Sequence, residues 1–189
     1  MRLFVALSIS ADVRRQLASL IGELRGADGK PRWVNPANLH ITLKFIGQVA
    51  TEQLASIRQA LAAVARPPAF DLELRGIGIF PNHRRPAVVW AGIKAPPELP
   101  ELAGKIDHSL SSCGIPREKR PFAAHLTLAR LKETRLSPPL WAILRESQDR
   151  WFGEMTAHEF LLMESTLKTT GAEYTTLDSF PFAAKGLDR

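Results

Sequence analysis

The 189-residue chain contains a single cysteine, Cys113, so no internal disulfide can form. It also lacks any apolar run that approaches the roughly 20 residues needed to span a bilayer. The apolar opening MRLFVALSIS is short and is followed at once by charged Asp12 and Arg14, which favours a first β-strand over a signal peptide. We therefore expect a cytoplasmic protein in a reducing setting, with no membrane partner.

Low-complexity segments and long linkers are also missing, and the composition is ordinary, with 45% hydrophobic and 23% charged residues. A chain of this length can bury a substantial core, so we predict a single domain over residues 1–189, either one compact unit or two small lobes that share a core. The formal net charge of +6 is compatible with a polyanionic partner such as nucleic acid, without identifying one.

Strand-like and helix-like segments alternate irregularly along the chain, which favours an α+β fold over a doubly wound sheet. Ser10, Thr51 and Ser137 are the expected helix N-caps. Predicted strands cover 2–8, 39–46, 69–80, 87–93, 122–131 and two stretches near 155–167 and 173–183; predicted helices cover 11–25, 52–64, 98–112 and a segment beginning at Pro138.

One short pattern occurs twice. His40-Ile41-Thr42-Leu43 recurs 85 residues later as His125-Leu126-Thr127-Leu128. Because strand side chains alternate between faces, each copy presents its histidine and threonine on one side and its large apolar residues on the other. Two such strands facing a cleft would offer two imidazoles and two hydroxyls to one small ligand.

This set of groups suits the hydrolysis of a phosphodiester. A neutral imidazole can accept the proton of an attacking water, while a protonated imidazole on the opposite side donates one to the leaving oxygen. The hydroxyls of Thr42 and Thr127 can donate to the non-bridging oxygens as charge develops there. Neither copy has a further His, Cys or Asp at ligand spacing, so we expect no metal and no cofactor.

The two motifs, LHITLKFIG (39–47) and AHLTLAR (124–130), resemble the paired signatures of the 2H phosphoesterase superfamily. Within it, the whole chain resembles the bacterial and archaeal RNA 2′,3′-cyclic phosphodiesterases, once called 2′-5′ RNA ligases. The segments RWVNPANLH, FPNHRRPAVVWAGI and ESTLKTTGAEYTTLDSFPF also fit that family. Members typically carry proline before the second histidine, where this chain has Ala124, and this difference concerns local geometry more than chemistry.

The resemblance implies a bilobal LigT-like fold, with antiparallel sheets lining a central cleft and helices outside. It also implies hydrolysis of RNA 2′,3′-cyclic phosphate ends to 2′-phosphomonoesters, with weak, reversible 2′-5′ joining of RNA. His40 would then be the proton donor and His125 the proton acceptor. We expect a monomer. Two alternatives stay open: a related enzyme acting on 2′,5′-oligonucleotides or small cyclic nucleotides, and a non-catalytic module that binds RNA ends.

Other residues are weaker candidates. By strict alternation Arg130 falls on the face opposite His125, so it would reach a phosphate only through a β-bulge or a frayed strand end. Phe45 likewise falls opposite His40 and is expected in the core. The basic run at 117–120 and Arg84-Arg85 could meet RNA backbone, although such clusters are usually solvated loops. The four tryptophans (Trp33, Trp90, Trp141 and Trp151) are expected to pack rather than to stack on bases.

Overall fold

A computed structural model of the protein describes residues 1–131, 136–169 and 171–183, so the end of the predicted 1–189 domain lies outside the described residues. The strands are β1 (Arg2–Ser8), β2 (Arg32–Trp33), β3 (His40–Gln48), β4 (Phe70–Phe80), β5 (Val88–Lys94), β6 (His125–Arg130), β7 (Trp151–Ala157), β8 (Glu159–Lys168) and β9 (Gly171–Pro181). The helices are α1 (Ala11–Ala27), α2 (Leu54–Ala62), α3 (Glu98–Ser111) and α4 (Pro138–Glu146).

The described strands form two antiparallel sheets, with strand orders β3-β1-β8-β9 and β2-β6-β5-β4-β7. β3 and β6 belong to different sheets, yet their Cα atoms approach within 8 Å. The predicted α+β class with two antiparallel sheets is confirmed. The two copies of the duplicated motif therefore lie on neighbouring strands at the junction of the sheets.

Helices cover the sheet faces that point away from this junction. The apolar residues of α1 recur at helical spacing and are buried, and Val13 of α1 lies close to Gly153 of β7. On the other sheet α3 packs against β3 and α2. Buried apolar side chains from both sheets and from all four described helices form one continuous core. None of these helices has the length and apolarity that a membrane span requires.

Two of the three predicted N-caps are confirmed. The Ser10 hydroxyl accepts the Val13 N–H at 3.3 Å, and the Ser137 hydroxyl accepts the Leu140 N–H at 3.4 Å. The prediction for Thr51 is wrong, because Thr51 lies inside a 3-10 turn, Thr51–Gln53, that precedes α2. The Gln53 side chain closes that turn by accepting the Ala50 N–H at 3.1 Å.

The segment predicted as one strand near 155–167 belongs to two strands, β7 and β8, which are connected by the single residue His158. β7 pairs with β4 in one sheet, whereas β8 pairs with β1 in the other. Strand-forming residues continue through the join without Gly or Pro, so nothing local marks the change of sheet. The predicted strand 122–131 begins only at His125, and the Ala123 carbonyl just before it accepts a hydrogen bond from the His125 ring.

Candidate active site

The first motif departs from regular strand alternation at Leu43. Thr42 pairs with Ala6 and Lys44 with Val5, so Leu43 has no opposite residue and forms a β-bulge. Leu43 and Lys44 are both buried as a result, on the side covered by α3. His40 and Thr42 occupy the opposite, uncovered face of β3, as predicted.

The second motif repeats this irregularity at the same place. Thr127 pairs with Trp90 and Ala129 with Val89, which leaves Leu128 as the bulged residue. Leu128 and Ala129 are both fully buried. The bulge shifts the alternation of side chains by one residue after Leu128. Arg130 therefore lies on the same face as His125 and Thr127.

The two bulges change the positions of Phe45 and Arg130. Arg130 pairs with Val88 and lies on the same face as His125, so the β-bulge that a phosphate contact would require is present. The core position predicted for Phe45 is wrong. Its side chain is 55% exposed, and it pairs with Phe4 on the face that carries His40. The bulge at Leu43 explains the error, because strict alternation would have turned Phe45 towards the core.

Both motif histidines are held in the same way. Nδ1 of His40 lies 2.7 Å from the Asn38 carbonyl oxygen, and Nδ1 of His125 lies 2.8 Å from that of Ala123. A carbonyl can only accept, so Nδ1 carries the hydrogen in each ring and Nε2 is the nitrogen free for chemistry. In both cases the carbonyl belongs to the residue two positions earlier, where the chain enters the strand.

Aromatic rings enclose His40. The ring of Phe4 lies 4.9 Å and that of Tyr174 5.3 Å from the imidazole, measured between centroids. Burial disfavours the charged form and lowers the pKa of His40 below its usual value, with the positive charge of Arg14 acting in the same direction and the Asn38 hydrogen bond opposing it. Nε2 of His40 lies 3.0 Å from the Thr42 hydroxyl, which donates to the neutral ring.

A different aromatic arrangement flanks His125. The Phe80 ring meets the imidazole edge to face, with centroids 5.2 Å apart, and stacks on Trp90 at 4.8 Å. Trp90 lies flat across Gly78, where an added Cβ would be only 2.0 Å from the indole. Within the described part of the chain, no side chain hydrogen-bonds to Nε2 of His125. That nitrogen therefore has no side-chain partner to displace before it binds a water or a substrate.

The turn that leads into His40 is fixed by two polar side chains. Nη1 of Arg14 donates to the carbonyls of Pro36 at 2.6 Å, Ala37 at 3.1 Å and Leu39 at 3.3 Å. The Asn38 amide donates to the Ala172 carbonyl of β9 at 2.7 Å. The turn that carries the Asn38 carbonyl is therefore held from both α1 and β9. The sequence did not single out Arg14 or Asn38, because their partners lie far along the chain.

A buried ion pair joins β3 to the loop that leads to the second motif. Nζ of Lys44 donates to Asp107 of α3 at 2.7 Å and to the Pro116 carbonyl at 2.7 Å. Burial raises the pKa of Asp107, but hydrogen bonds from Lys44, the Glu118 backbone and Arg117 outweigh it, so the pKa is lowered. Part of the basic run at 117–120 thus serves this network, while Lys119 and Arg120 are exposed.

The remaining tryptophan and arginine candidates are either packed against the core or exposed to solvent. Trp33 and Trp141 pack against the core as predicted, whereas Trp151 is 57% exposed and that prediction is wrong. Arg84 and Arg85 are exposed in the β4–β5 loop. Across the described ranges, no group of three or more His, Cys, Asp or Glu side chains lies close enough to hold a metal ion.

Comparison with known proteins gives consistent results over nearly the whole chain. The RNA 2′,3′-cyclic phosphodiesterase of Archaeoglobus fulgidus is 40% identical over 180 residues, which cover 95% of this chain and 99% of that protein. The crystal structure of TT0787 from Thermus thermophilus matches with a TM-score of 0.81 at 30% identity, covering 98% of this chain and all of the other. E. coli LigT complexed with 3′-AMP matches with a TM-score of 0.76 at 29% identity, covering 96% of this chain and 97% of the other.

The LigT like phosphoesterase family model matches residues 7–90 and 93–174, a span that contains both copies of the duplicated motif. This match, together with the shared fold, assigns the family. The chain belongs to the LigT-like phosphoesterase family.

Proposed function

We propose that this enzyme hydrolyses 2′,3′-cyclic phosphate ends of RNA to 2′-phosphomonoesters, with His40 as proton donor and His125 as proton acceptor. The observation that carries the proposal is the placement of two identical His-Thr faces on neighbouring strands of different sheets. Relatives named RNA 2′,3′-cyclic phosphodiesterase, at up to 40% identity, support the substrate.

The reaction opens one of the two ester bonds of the ring. Nε2 of His125 takes a proton from water as the water oxygen attacks phosphorus opposite O3′. The bond from phosphorus to O3′ breaks, and His40 gives its Nε2 proton to the departing oxygen. The products are a 2′-phosphomonoester and a free 3′ hydroxyl. Thr42 and Thr127 donate hydrogen bonds to the non-bridging oxygens.

The donor role requires His40 to be protonated when substrate is bound. Burial beside Phe4 and Tyr174 lowers the pKa of His40 in the free protein. A cyclic phosphate carries one negative charge, and an opposite charge within hydrogen-bonding distance favours the imidazolium form. Substrate binding therefore raises the pKa of His40 and favours the protonated form that the donor role requires.

The asymmetry of the cleft suits a nucleotide end. Phe45 offers an exposed ring on the face that carries His40, with its centroid 6.5 Å from that of Phe4, and bases stack readily on such rings. The same proton transfers, with a 5′ hydroxyl of RNA attacking phosphorus in place of water, would join RNA through a 2′-5′ bond. Metal independence, the monomeric state and a cytoplasmic location remain predictions.

The test is to incubate purified protein with an oligoribonucleotide ending in a 2′,3′-cyclic phosphate, in EDTA, and to identify the product. The proposal expects a 2′-phosphate and full activity without divalent ions. A 3′-phosphate product would contradict the assigned bond cleavage. Opening of small cyclic nucleotides alone would favour the small-molecule alternative, and binding without turnover would favour a non-catalytic RNA-end module.

A further inference from the structure

Few contacts fix the ring of His125. Nδ1 lies 2.8 Å from the Ala123 carbonyl oxygen, and within the described residues no side chain hydrogen-bonds to Nε2. The ring of His40, by contrast, contacts two aromatic rings and a threonine hydroxyl. One hydrogen bond leaves an imidazole free to turn about that bond. The direction in which Nε2 of His125 points therefore depends on what its ring packs against.

The packing partner of His125 is Phe80, the last residue of β4. The Phe80 ring lies 5.2 Å from the imidazole, measured between centroids, at an interplanar angle of 86°. In the part of the chain that the structure describes, no other aromatic ring contacts His125. The backbone of Phe80 is paired with Val88 of β5, and its carbonyl accepts the Ala87 N–H at 2.8 Å. Phe80 thus approaches His125 from a fixed strand end.

Phe80 in turn stacks on Trp90 of β5, with ring centroids 4.8 Å apart and planes that differ by 28°. Trp90 is the cross-strand partner of Thr127 on one side and of Gly78 on the other, so its side chain lies on the face that carries the second motif. A Cβ at Gly78 would lie only 2.0 Å from the indole, so the indole can lie flat across β4 only at a glycine. The rings of Trp90, Phe80 and His125 therefore form an aromatic column that starts on the backbone of β4.

The indole of Trp90 is held by its ring and not by its polar group. Nε1 is buried and has no hydrogen-bond partner among the described residues. A buried N–H is nearly always paired, and leaving it unpaired costs free energy. The contacts that fix the indole are therefore those of its ring, with Gly78 and with Phe80.

We propose that Phe80 and Trp90 are positioning residues, which hold the imidazole of His125 in the orientation that a proton acceptor requires. This role rests on the proposed function, and it is exerted through His125 and not through the substrate. A general base acts only within hydrogen-bonding reach of the proton that it accepts, and a displacement of about 1 Å can lower a rate by ~10². Loss of the aromatic column should therefore lower kcat and leave KM nearly unchanged.

A double-mutant cycle tests this assignment. Phe80→Leu keeps apolar bulk and removes the flat ring, and it is combined in turn with His125→Ala and with His40→Ala. The substrate is an oligoribonucleotide whose terminal cyclic phosphate carries sulfur in place of O3′, because this leaving group keeps the rate of His40→Ala measurable. Phe80→Leu should lower kcat by at least ~10-fold in the wild-type protein and in His40→Ala, and by less than ~2-fold in His125→Ala.

Three further variants complete the experiment. Trp90→Leu removes the ring on which Phe80 stacks and should reproduce the pattern of Phe80→Leu. Phe80→Tyr keeps the ring and should retain most of the wild-type kcat. Trp151→Ala is the matched control, because it removes a 57% exposed aromatic side chain from β7 of the same sheet, and it should leave kcat unchanged.

The outcomes separate the claims. An equal loss of kcat from Phe80→Leu in the wild-type protein and in His125→Ala would overturn the positioning role, because Phe80 would then act on the fold or on the substrate. A loss confined to KM, or a wild-type kcat in either Phe80→Leu or Trp90→Leu, would overturn it as well. Failure of the wild-type protein to open the cyclic phosphate would instead overturn the proposed function, and the positioning role with it.

Discussion

Phe45 and Arg130 occupy the same position in the two copies of the motif: each follows its histidine by five residues and lies two positions after the bulged leucine, on the histidine face. Phe45 is aromatic and Arg130 is cationic, so the two otherwise equivalent copies of the motif differ in the side chain that follows them. A substrate with a base at one end and phosphate at the other matches this asymmetry. The repeat places the two histidines and the two threonines in equivalent positions, and Phe45 and Arg130 make its two ends chemically different.

The environment of His40 leads to a prediction on its titration. Burial between Phe4 and Tyr174 is the largest cause of its lowered pKa, so Tyr174→Ala should raise the pKa towards the usual value near 6.5. A bound phosphate monoester should raise it as well, through its negative charge. NMR titration of the His40 ring protons measures both shifts. A pKa of His40 that responds to neither change would contradict this account of its environment.

The lowered pKa of His40 also affects stability. The folded protein binds the proton less readily than the unfolded chain, so stability falls as pH drops below the unfolded pKa near 6.5 and continues to fall until the folded pKa is passed. In His40→Gln this contribution should be absent. Urea denaturation of both proteins between neutral and mildly acidic pH measures the difference, and identical pH dependence would contradict the assignment.

The buried pair of Lys44 and Asp107 predicts a large loss of stability. Asp107→Asn leaves the buried ammonium of Lys44 without its closest anion, which should cost about 3–5 kcal/mol. Glu118→Gln is the matched control, because Glu118 is 57% exposed and its pairing with Lys44 should contribute less than about 1 kcal/mol.

Asp107 also gives a pH signature. Its pKa is lowered in the folded protein, so its contribution is present above the unfolded pKa and is lost as acid titrates the folded carboxylate. Asp107→Asn should lack this acid-dependent loss. Equal stability of Asp107→Asn and Glu118→Gln in urea denaturation would show that the network is not a stabilising link between β3 and α3.

The roles of the two histidines can be separated by the leaving group. A substrate with sulfur in place of O3′ needs little protonation of its leaving group. This substrate should restore much of the activity of His40→Ala and little of that of His125→Ala. Rescue of His125→Ala alone would reverse the assignment of donor and acceptor. Equal rescue of both would remove it and leave the two-histidine site in place.

The sequence predicted what depends on local spacing. The duplicated histidine and threonine faces followed from alternation over three residues, and the caps at Ser10 and Ser137 from the residue types themselves. The bulges at Leu43 and Leu128 could not be predicted, since leucine is common in regular strands and the register depends on β1 and β5. For that reason Phe45 was assigned to the wrong face.

Residues around the histidines were missed for a related reason. Phe4 and Tyr174 reach His40 from β1 and β9, whose positions depend on the order of strands in the sheet. Arg14 acts from a helix on backbone carbonyls, which carry no side-chain signal. The duplicated motif brought out the two histidines, whereas the residues that orient their rings could be found only from the fold.

The central claim is that His40 and His125 carry out the chemistry, and single-turnover hydrolysis of an RNA 2′,3′-cyclic phosphate tests it most directly. His40→Ala and His125→Ala should each lower the rate by at least ~10², the usual scale for loss of a general acid or base. Thr42→Ala and Thr127→Ala should lose less, and His108→Ala, which removes an exposed histidine of α3, should match the wild-type protein. Turnover by His125→Ala near the wild-type rate would contradict the account.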